Sequence, residues 1–183
     1  MAPWHSGLWH FGTLVLAPCT LGSGTLALWH LGTLIIGLIS DTHGLVRPEA
    51  IAALAGVDLI VHAGDVGAAS VLDALRAIAP VHAVHGNVDL ADGTLAGSID
   101  LDLAGVRVHI SHGHELGSPT PERLAARYDA DVIVFGHTHK PLVVSVGRTL
   151  VVNPGAAGPR RFKLQPSVAL LTLPERDVRL ITL

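Results

Sequence analysis

Five short apolar runs, each followed at once by a polar cluster, constrain the fold of this chain most strongly. The runs are rich in Val, Ile and Leu and show little alternation, which is typical of strands buried on both faces of a sheet. They cover residues 34–40, 57–63, 81–85, 106–111 and 131–135. Because open α/β sheets bind ligands at the carboxyl ends of their strands, the polar clusters are predicted to meet at one rim.

Helix signals separate several of these runs. Pro48 favours a helix over 48–55 that ends at Gly56. A second helix is predicted over about 69–79, since Pro80 follows it. Thr120 is a good N-cap and precedes a proline, so a third helix should run from there to about Tyr128.

The second half of the chain is dominated by turn signals. Residues 88–98 are predicted to form an irregular loop, and hairpins are expected around residues 104–105, 147–148 and 174–175. The chain therefore begins as βαβαβ and ends as β-hairpins. This order favours an α/β protein in which two sheets pack face to face with helices outside.

Composition excludes several classes of protein. The length of 183 residues suits one domain, and the formal charge of −3 provides no basic field for a nucleic-acid backbone. Aromatic residues make up only 4% of the chain, so stacking platforms for bases are not expected either. A single cysteine, Cys19, rules out an intrachain disulfide framework and a thiolate zinc site.

The N-terminal segment differs from the rest of the chain. Residues 1–40 contain no Asp, Glu, Lys or Arg, and Leu8–Leu14 is repeated with one change as Leu28–Leu34. No basic region precedes the apolar stretch, and Gly, Thr, Ser, His and Pro18 interrupt it, which argues against a signal peptide or a membrane anchor. We expect a hydrophobic extension over residues 1–33, a folded domain over 34–183, and a cytoplasmic protein.

The polar clusters contain metal-ligand chemistry. They read Asp41-Thr42-His43, Gly64-Asp65, Gly86-Asn87-Val88-Asp89, His112-Gly113-His114 and Gly136-His137-Thr138-His139. Each is weak evidence alone, but carboxylates and imidazoles without thiolate suit Mn, Fe, Zn or Co. Five such clusters at strand ends predict a two-metal site with one bridging carboxylate. Four further histidines, His62, His82, His85 and His109, lie within the runs and are expected to be structural.

As a set, the clusters resemble the motifs of the calcineurin-like metallophosphoesterases, D-x-H, G-D, G-N-x-[DE], H and G-H-x-H. The run Asn153-Pro154-Gly155 and the small size are similar to the small prokaryotic phosphodiesterase branch. The resemblance covers residues 34–160 strongly. It implies a four-layer α/β/β/α sandwich of two mixed sheets flanked by helices.

The resemblance also implies a role for each cluster. In the family pattern, Asp41, His43 and His139 would bind the first metal, Asp65 would bridge, and Asn87, His112 and His137 would complete the second. His112 and His114 compete for one ligand position, and His112 is preferred because it directly follows its strand. Asp89 would orient a ligand or a loop. The residues expected to take part in the reaction itself are Asp65, Asn87 and His114.

The implied activity is metal-dependent hydrolysis of a small phosphodiester, in which a hydroxide bridging the two ions attacks phosphorus. Many family members carry a histidine where this chain has Val88, so a diester is favoured over a monoester and His114 becomes the candidate general acid. Manganese is the expected ion, with Ni, Co, Fe and Zn as alternatives. Arg160 and Arg161 are candidates either for a phosphate contact or for a solvated surface pair.

Two other functions compete with this interpretation. One is a non-catalytic interaction scaffold similar to a retromer subunit, in which the D-x-H motif has lost its histidine; here His43 is present. The other is a nuclease, which would need a basic groove. The sequence leaves a homo-oligomer open, and neither a nucleic acid nor a membrane is an expected partner.

Overall fold

The computed structural model describes residues 32–90, 93–160 and 163–183. Its strands in chain order are β1 (Leu34–Ile39), β2 (Leu59–Ala63), β3 (Val81–Val84), β4 (Ser98–Leu103), β5 (Val106–Ser111), β6 (Val132–Val134), β7 (Leu142–Val146), β8 (Thr149–Asn153), β9 (Ser167–Leu173) and β10 (Asp177–Thr182). The helices are α1 (Pro48–Ala53), α2 (Ala69–Arg76) and α3 (Pro121–Arg127), and His114–Leu116 forms a short 3₁₀ helix.

The strands form two five-stranded mixed sheets. The first has the order β10-β9-β1-β2-β3, in which β1, β2 and β3 are parallel and β9 runs antiparallel to both β1 and β10. The second has the order β4-β5-β6-β8-β7, with parallel pairs β5–β6 and β6–β8 and antiparallel strands at both edges. Parallel strands at the centre of each sheet explain the continuous apolar runs of β1, β2, β5 and β6. β3 lies at the edge of the first sheet and is only partly buried.

Three hydrophobic clusters divide the molecule into layers. The largest lies between the two sheets and joins residues such as Ile36 and Leu171 of the first sheet to Val108 and Val134 of the second. Another packs α1 and α2 against the first sheet, and a third packs α3 against the second. The result is the four-layer α/β/β/α sandwich, so the expected fold class is confirmed.

The expected elements are present with small shifts at their ends. The five apolar runs form β1, β2, β3, β5 and β6, and the three expected hairpins pair as β4–β5, β7–β8 and β9–β10. The helices end one to three residues earlier than expected, and β3 ends at Val84, which leaves His85 in a loop. Thr120 caps α3 as expected, because its side chain accepts a hydrogen bond from the Arg123 N–H at 3.4 Å.

Several expectations concern residues outside the described ranges. The internal repeat, Cys19 and nearly all of the N-terminal extension fall in residues 1–31, and Arg161 also lies outside. The boundary at residue 33 therefore stays a prediction. Among the residues that the structure describes, no helix is long and apolar enough to cross a membrane.

Candidate metal centre

The first group of candidate ligands lies where the loops after β1, β2 and β6 meet. One ligand atom from each of Asp41, His43, Asp65 and His139 lies within 4.8 Å of the other three. Asp41 Oδ1 is 3.2 Å from His139 Nε2, and the rings of His43 and His139 stack with centroids 5.3 Å apart. Two carboxylates and two imidazoles at this spacing could hold one divalent cation.

The second group lies beside the first and includes an amide. His112 Nε2 is 3.3 Å from Asn87 Oδ1 and 3.4 Å from Asp65 Oδ1, and His137 Nδ1 is 3.0 Å from the same Asn87 oxygen. The amide oxygen is therefore directed at two imidazoles. This group joins the loops after β2, β3, β5 and β6, so both sheets contribute to it.

The chemistry of His112 tests whether this group fits a cation. Its Nδ1–H donates to the Ala63 carbonyl at 2.8 Å, so in the neutral ring Nε2 carries a lone pair. That lone pair faces two oxygen acceptors, Asn87 Oδ1 and Asp65 Oδ1. Burial of the ring acts to lower the pKa of His112, but the hydrogen bond to Asp65 and the charge of Asp41 prevail and raise it. The pocket therefore favours a positive charge at this point, and the residues fit a metal ion.

Asp65 connects the two groups. Its Oδ2 lies 3.8 Å from His43 Nε2 in the first group, whereas its Oδ1 lies 3.4 Å from His112 Nε2 in the second. The Val88 N–H also donates to Oδ1 at 3.0 Å. One carboxylate thus directs one oxygen toward each group, which is the arrangement that a bridging ligand requires.

The backbone carrying these side chains is strained. Seven non-glycine residues in the described part of the chain have positive φ, and five of them are candidate ligands: Asp41, His43, Asp65, His137 and His139, with φ between 46° and 66°. Such conformations cost about 1–3 kcal/mol each and persist only where surrounding contacts hold them. Strain concentrated on one set of polar residues indicates a functional site.

Two glycines let the loops approach each other closely. A Cβ on Gly136 would lie 2.7 Å from the Ala63 carbonyl oxygen and 2.9 Å from Asp41 Oδ2. A Cβ on Gly86 would overlap both the side chain and the backbone nitrogen of Asp65. Glycine at both positions is therefore required by the packing of one candidate-ligand loop on another.

Asp89 holds two of the ligand loops together. Its carboxylate accepts hydrogen bonds from the N–H groups of Val66 at 3.0 Å, Gly67 at 2.8 Å and Gly86 at 2.8 Å. Partial burial acts to raise the pKa of Asp89, but these three hydrogen bonds prevail and lower it. This geometry agrees with the expectation that Asp89 orients a loop.

The two central carboxyl groups have opposite pKa shifts. Burial raises the pKa of Asp41 to about 6, despite the hydrogen bond that Ser40 Oγ donates to it at 2.7 Å. Burial also acts on Asp65, but the contact with His112 and the Val88 N–H prevail and lower its pKa to about 2. Asp65 is therefore ionised at neutral pH, and a cation that binds Asp41 would displace a proton from part of the population.

His114 lies beside the second group and belongs to a separate chain of contacts. Its ring centroid is 5.3 Å from that of His112, and its Nδ1 is 3.7 Å from a carboxylate oxygen of Glu115. The other Glu115 oxygen accepts a hydrogen bond from the Tyr128 hydroxyl at 2.8 Å. Burial and the charge of His112 lower the pKa of His114. This placement leaves His114 at the edge of the cluster.

The four other histidines in the described part of the chain occupy different environments. His62 and His109 are buried in their strands; His109 pairs with Asp100 at 2.7 Å and stacks on Tyr128. His82 is half-buried in β3. His85 differs from the expectation of a strand residue, because it follows β3 and its ring lies 5.9 Å from that of His114.

Sequence reasoning missed several residues that support the centre. Ser40 donates to Asp41 and also contacts the Gly155 carbonyl, and Thr42 bonds His62. Asn153 was noted only as part of a motif, yet its amide donates to the Gly136 carbonyl at 2.8 Å. Their positions next to or among the motif residues were the only available signal. Arg160 is exposed and lies with His139 along one small surface depression.

The buried His62 gives a testable pH dependence of stability. Burial lowers its pKa from 6.5 to about 4, so unfolded chains bind a proton between these values while folded chains do not. Acid therefore favours unfolding, and the stability that the neutral His62 contributes is lost as the pH falls below 6.5. In chelator-treated protein, the His62 contribution alone should lower the unfolding free energy by about 2 kcal/mol between pH 7.5 and pH 5, measured as the difference from a variant without this imidazole.

The matched control is His62→Gln, which cannot take up this proton. Urea unfolding at several pH values should show the wild type losing stability faster than the variant as pH falls. The comparison cancels the opposite contribution of Asp41, whose raised pKa stabilises the metal-free fold in acid. Parallel pH profiles for the two proteins would contradict the prediction.

A two-sheet sandwich that gathers carboxylates and imidazoles at its strand ends is an arrangement typical of metallohydrolases. The chain belongs to the calcineurin-like phosphoesterase superfamily, whose domain model matches residues 34–176. It is 33% identical over 156 residues to a probable metallophosphoesterase of Methanocaldococcus jannaschii, covering 80% of each chain.

Two further matches extend the comparison. A phosphodiesterase of Methanocaldococcus jannaschii is 26% identical over 166 residues, which covers 81% of this chain and 98% of that protein. Among solved structures, Vps29 of Entamoeba histolytica complexed with zinc matches with a TM-score of 0.68 and 24% identity, covering 82% of this chain and 98% of that one. The match to Vps29 is one of fold.

Proposed function

We propose that this protein is a metal-dependent phosphodiesterase that hydrolyses a small phosphodiester. The observation that carries the proposal is the position of Asp65, whose two carboxylate oxygens face two separate groups of candidate ligands. The family membership and the likeness to a named phosphodiesterase support the same reaction class. Manganese is the ion proposed for the test.

The proposed ligand sets follow the two groups. Asp41, His43 and His139 would hold one ion, Asn87, His112 and His137 would hold the other, and Asp65 would contact both. When bound, two divalent ions supply an activated water and neutralise charge on the phosphate. In the reaction a bond forms between the water oxygen and phosphorus, one ester bond to phosphorus breaks, and the released alcohol takes up a proton.

His114 is the proposed source of that proton. Its ring stands beside the second ligand group, and a carboxylate oxygen of Glu115 lies 3.7 Å from its Nδ1. Val88 leaves no titratable group at the position after Asn87, so another side chain must act if an acid is needed. Replacing His114 with Gln should slow diesters of poor leaving groups more than nitrophenyl diesters, because nitrophenolate leaves without a proton. Equal slowing of both would exclude the acid role.

The main test is hydrolysis of bis-p-nitrophenyl phosphate by metal-stripped protein titrated with Mn²⁺. We expect saturable activity that depends on both the ion and the substrate. His43→Ala removes an imidazole of the first group and should reduce the rate by at least about 100-fold. His82→Ala is the matched control, because His82 lies in β3 outside both groups and its loss should leave the rate near that of the wild type.

One outcome would overturn the proposal. If folded protein shows no activity with Mn²⁺, Ni²⁺, Co²⁺ or Zn²⁺ on diesters, the phosphodiesterase function is wrong. A non-catalytic scaffold would then be favoured, since the fold is also that of Vps29. In the part of the chain that the structure describes, Ile35 on β1, Val143 on β7 and Leu180 on β10 are exposed singly on separate strands. The exposed pair Val88 and Leu90 lies in the loop after β3, next to the candidate ligand Asn87 and not on a face remote from the metal centre. That distribution favours the enzyme over a scaffold.

A further inference from the structure

His62 is a fully buried histidine outside both ligand groups. It lies in β2, opposite Ile39 of β1 and Ala83 of β3 in the first sheet. A buried imidazole in a parallel sheet must be matched by a hydrogen-bond partner, or its desolvation destabilises the fold. The hydrogen-bond partner of His62 connects this residue to the metal centre.

That partner is Thr42, which stands between two candidate ligands. Thr42 Oγ1 lies 2.8 Å from His62 Nε2, 3.0 Å from the Val66 carbonyl and 3.4 Å from the Asp65 carbonyl. The hydroxyl has one hydrogen, and a carbonyl can only accept, so Thr42 donates to the loop after β2. It must therefore accept from a His62 Nε2–H. This leaves a lone pair on His62 Nδ1, which has no hydrogen bond in the described part of the chain.

The contact joins two strained loops. The backbones of the loops after β1 and β2 are already paired, with Asp41 N–H on the Gly64 carbonyl at 3.0 Å and His43 N–H on the Asp65 carbonyl at 2.9 Å. Asp41, His43 and Asp65 have φ values of 52°, 46° and 54°. Such conformations persist when neighbouring contacts fix them. The bond from His62 through Thr42 crosses both loops at this point.

We propose that His62 is a positioning residue that, through Thr42, holds Asp41, His43 and Asp65 in the geometry that binds the first metal. The inference rests on the proposed function, because it assumes that these residues bind an ion. His62 itself touches neither ion nor substrate. Its Nε2–H orients Thr42, and Thr42 fixes the loop after β2 against the loop after β1.

The test separates the hydrogen bond from the volume of the side chain. Mn²⁺ affinity of the chelator-treated full chain is measured by calorimetry for two pairs of variants. His62→Leu and Thr42→Val remove the bond and keep similar volume, whereas His62→Gln and Thr42→Ser keep a donor and a hydroxyl. We expect the first two to weaken affinity by about 10- to 100-fold and the second two to stay within about threefold of wild type.

Thermal unfolding in chelator checks that each variant is folded, and Thr42→Val keeps the test usable if His62→Leu does not fold. The double variant His62→Leu/Thr42→Val should bind Mn²⁺ no more weakly than the single variant with the lower affinity, because both substitutions remove the same hydrogen bond. Equal affinities for His62→Leu and wild type, or equal losses for His62→Leu and His62→Gln, would overturn the positioning role alone. A wild type that binds no ion would instead overturn the proposed function.

Discussion

Asp65→Asn should lose metal from both ligand groups and reduce kcat/KM on a diester by at least about 10³-fold. The substitution removes the negative charge of the carboxylate and replaces one of its oxygens with an NH₂ group that cannot bind a cation. Because Asp65 Oδ2 faces His43 and Oδ1 faces His112, one substitution disturbs both groups at once. The pKa of about 2 keeps the wild-type group ionised across the working pH range.

The measurement is metal content per chain after dialysis against Mn²⁺, together with the rate on bis-p-nitrophenyl phosphate. Asp73→Asn makes the same chemical change at an exposed position of α2 and should behave as wild type. Asp65→Asn protein that keeps metal content and rate near wild type would show that Asp65 does not bridge.

Gly86→Ala is expected to damage both the stability of the fold and the activity of the centre. The added Cβ would overlap Asp65 at both its backbone nitrogen and its carboxylate, and backbone atoms cannot rotate away. Forced overpacking of this kind costs about 1–3 kcal/mol of stability. A displaced carboxylate should also reduce kcat by about 100-fold, since misplacement of about 1 Å at a site has effects of that size.

Gly97→Ala is the matched control, because a Cβ there would meet only the His85 ring at 3.3 Å or more. Urea unfolding and Mn²⁺-dependent kinetics would be measured for both variants. If Gly86→Ala matched Gly97→Ala in both measurements, the close packing of the loops after β2 and β3 would not matter for the site.

Much of the fold was predictable because local signals agreed with one another. The apolar runs, the proline and glycine boundaries, and Thr120 as a cap placed most elements within a few residues. The division of the five runs between two sheets was not predictable, because strand composition reports burial and not partners. Nothing near Leu34 in the sequence indicates that β9 pairs beside β1.

The candidate site was predictable as a set of residues and not as a geometry. The motif residues of the two groups are close together in the structure, but their assignment to particular ions stays a prediction. The positive φ of Asp41 and His43 could not be foreseen, since residues with a Cβ normally avoid that region. The 3₁₀ helix that carries His114 also lacked a clear signal. The role of His62 depends on Thr42, and a contact between residues twenty positions apart produces no periodic pattern in the sequence.

The position of β9 affects how the protein can fold while it is being synthesised. β1 carries Asp41 and His43 at its end, and it is flanked on one side by β2 and on the other by β9. While the ribosome has not yet released residues 167–173, β1 has one open edge with unpaired backbone groups. A nascent chain can therefore assemble β1, β2 and β3 early, but the free edge of β1 stays unpaired until residues 167–173 have been synthesised.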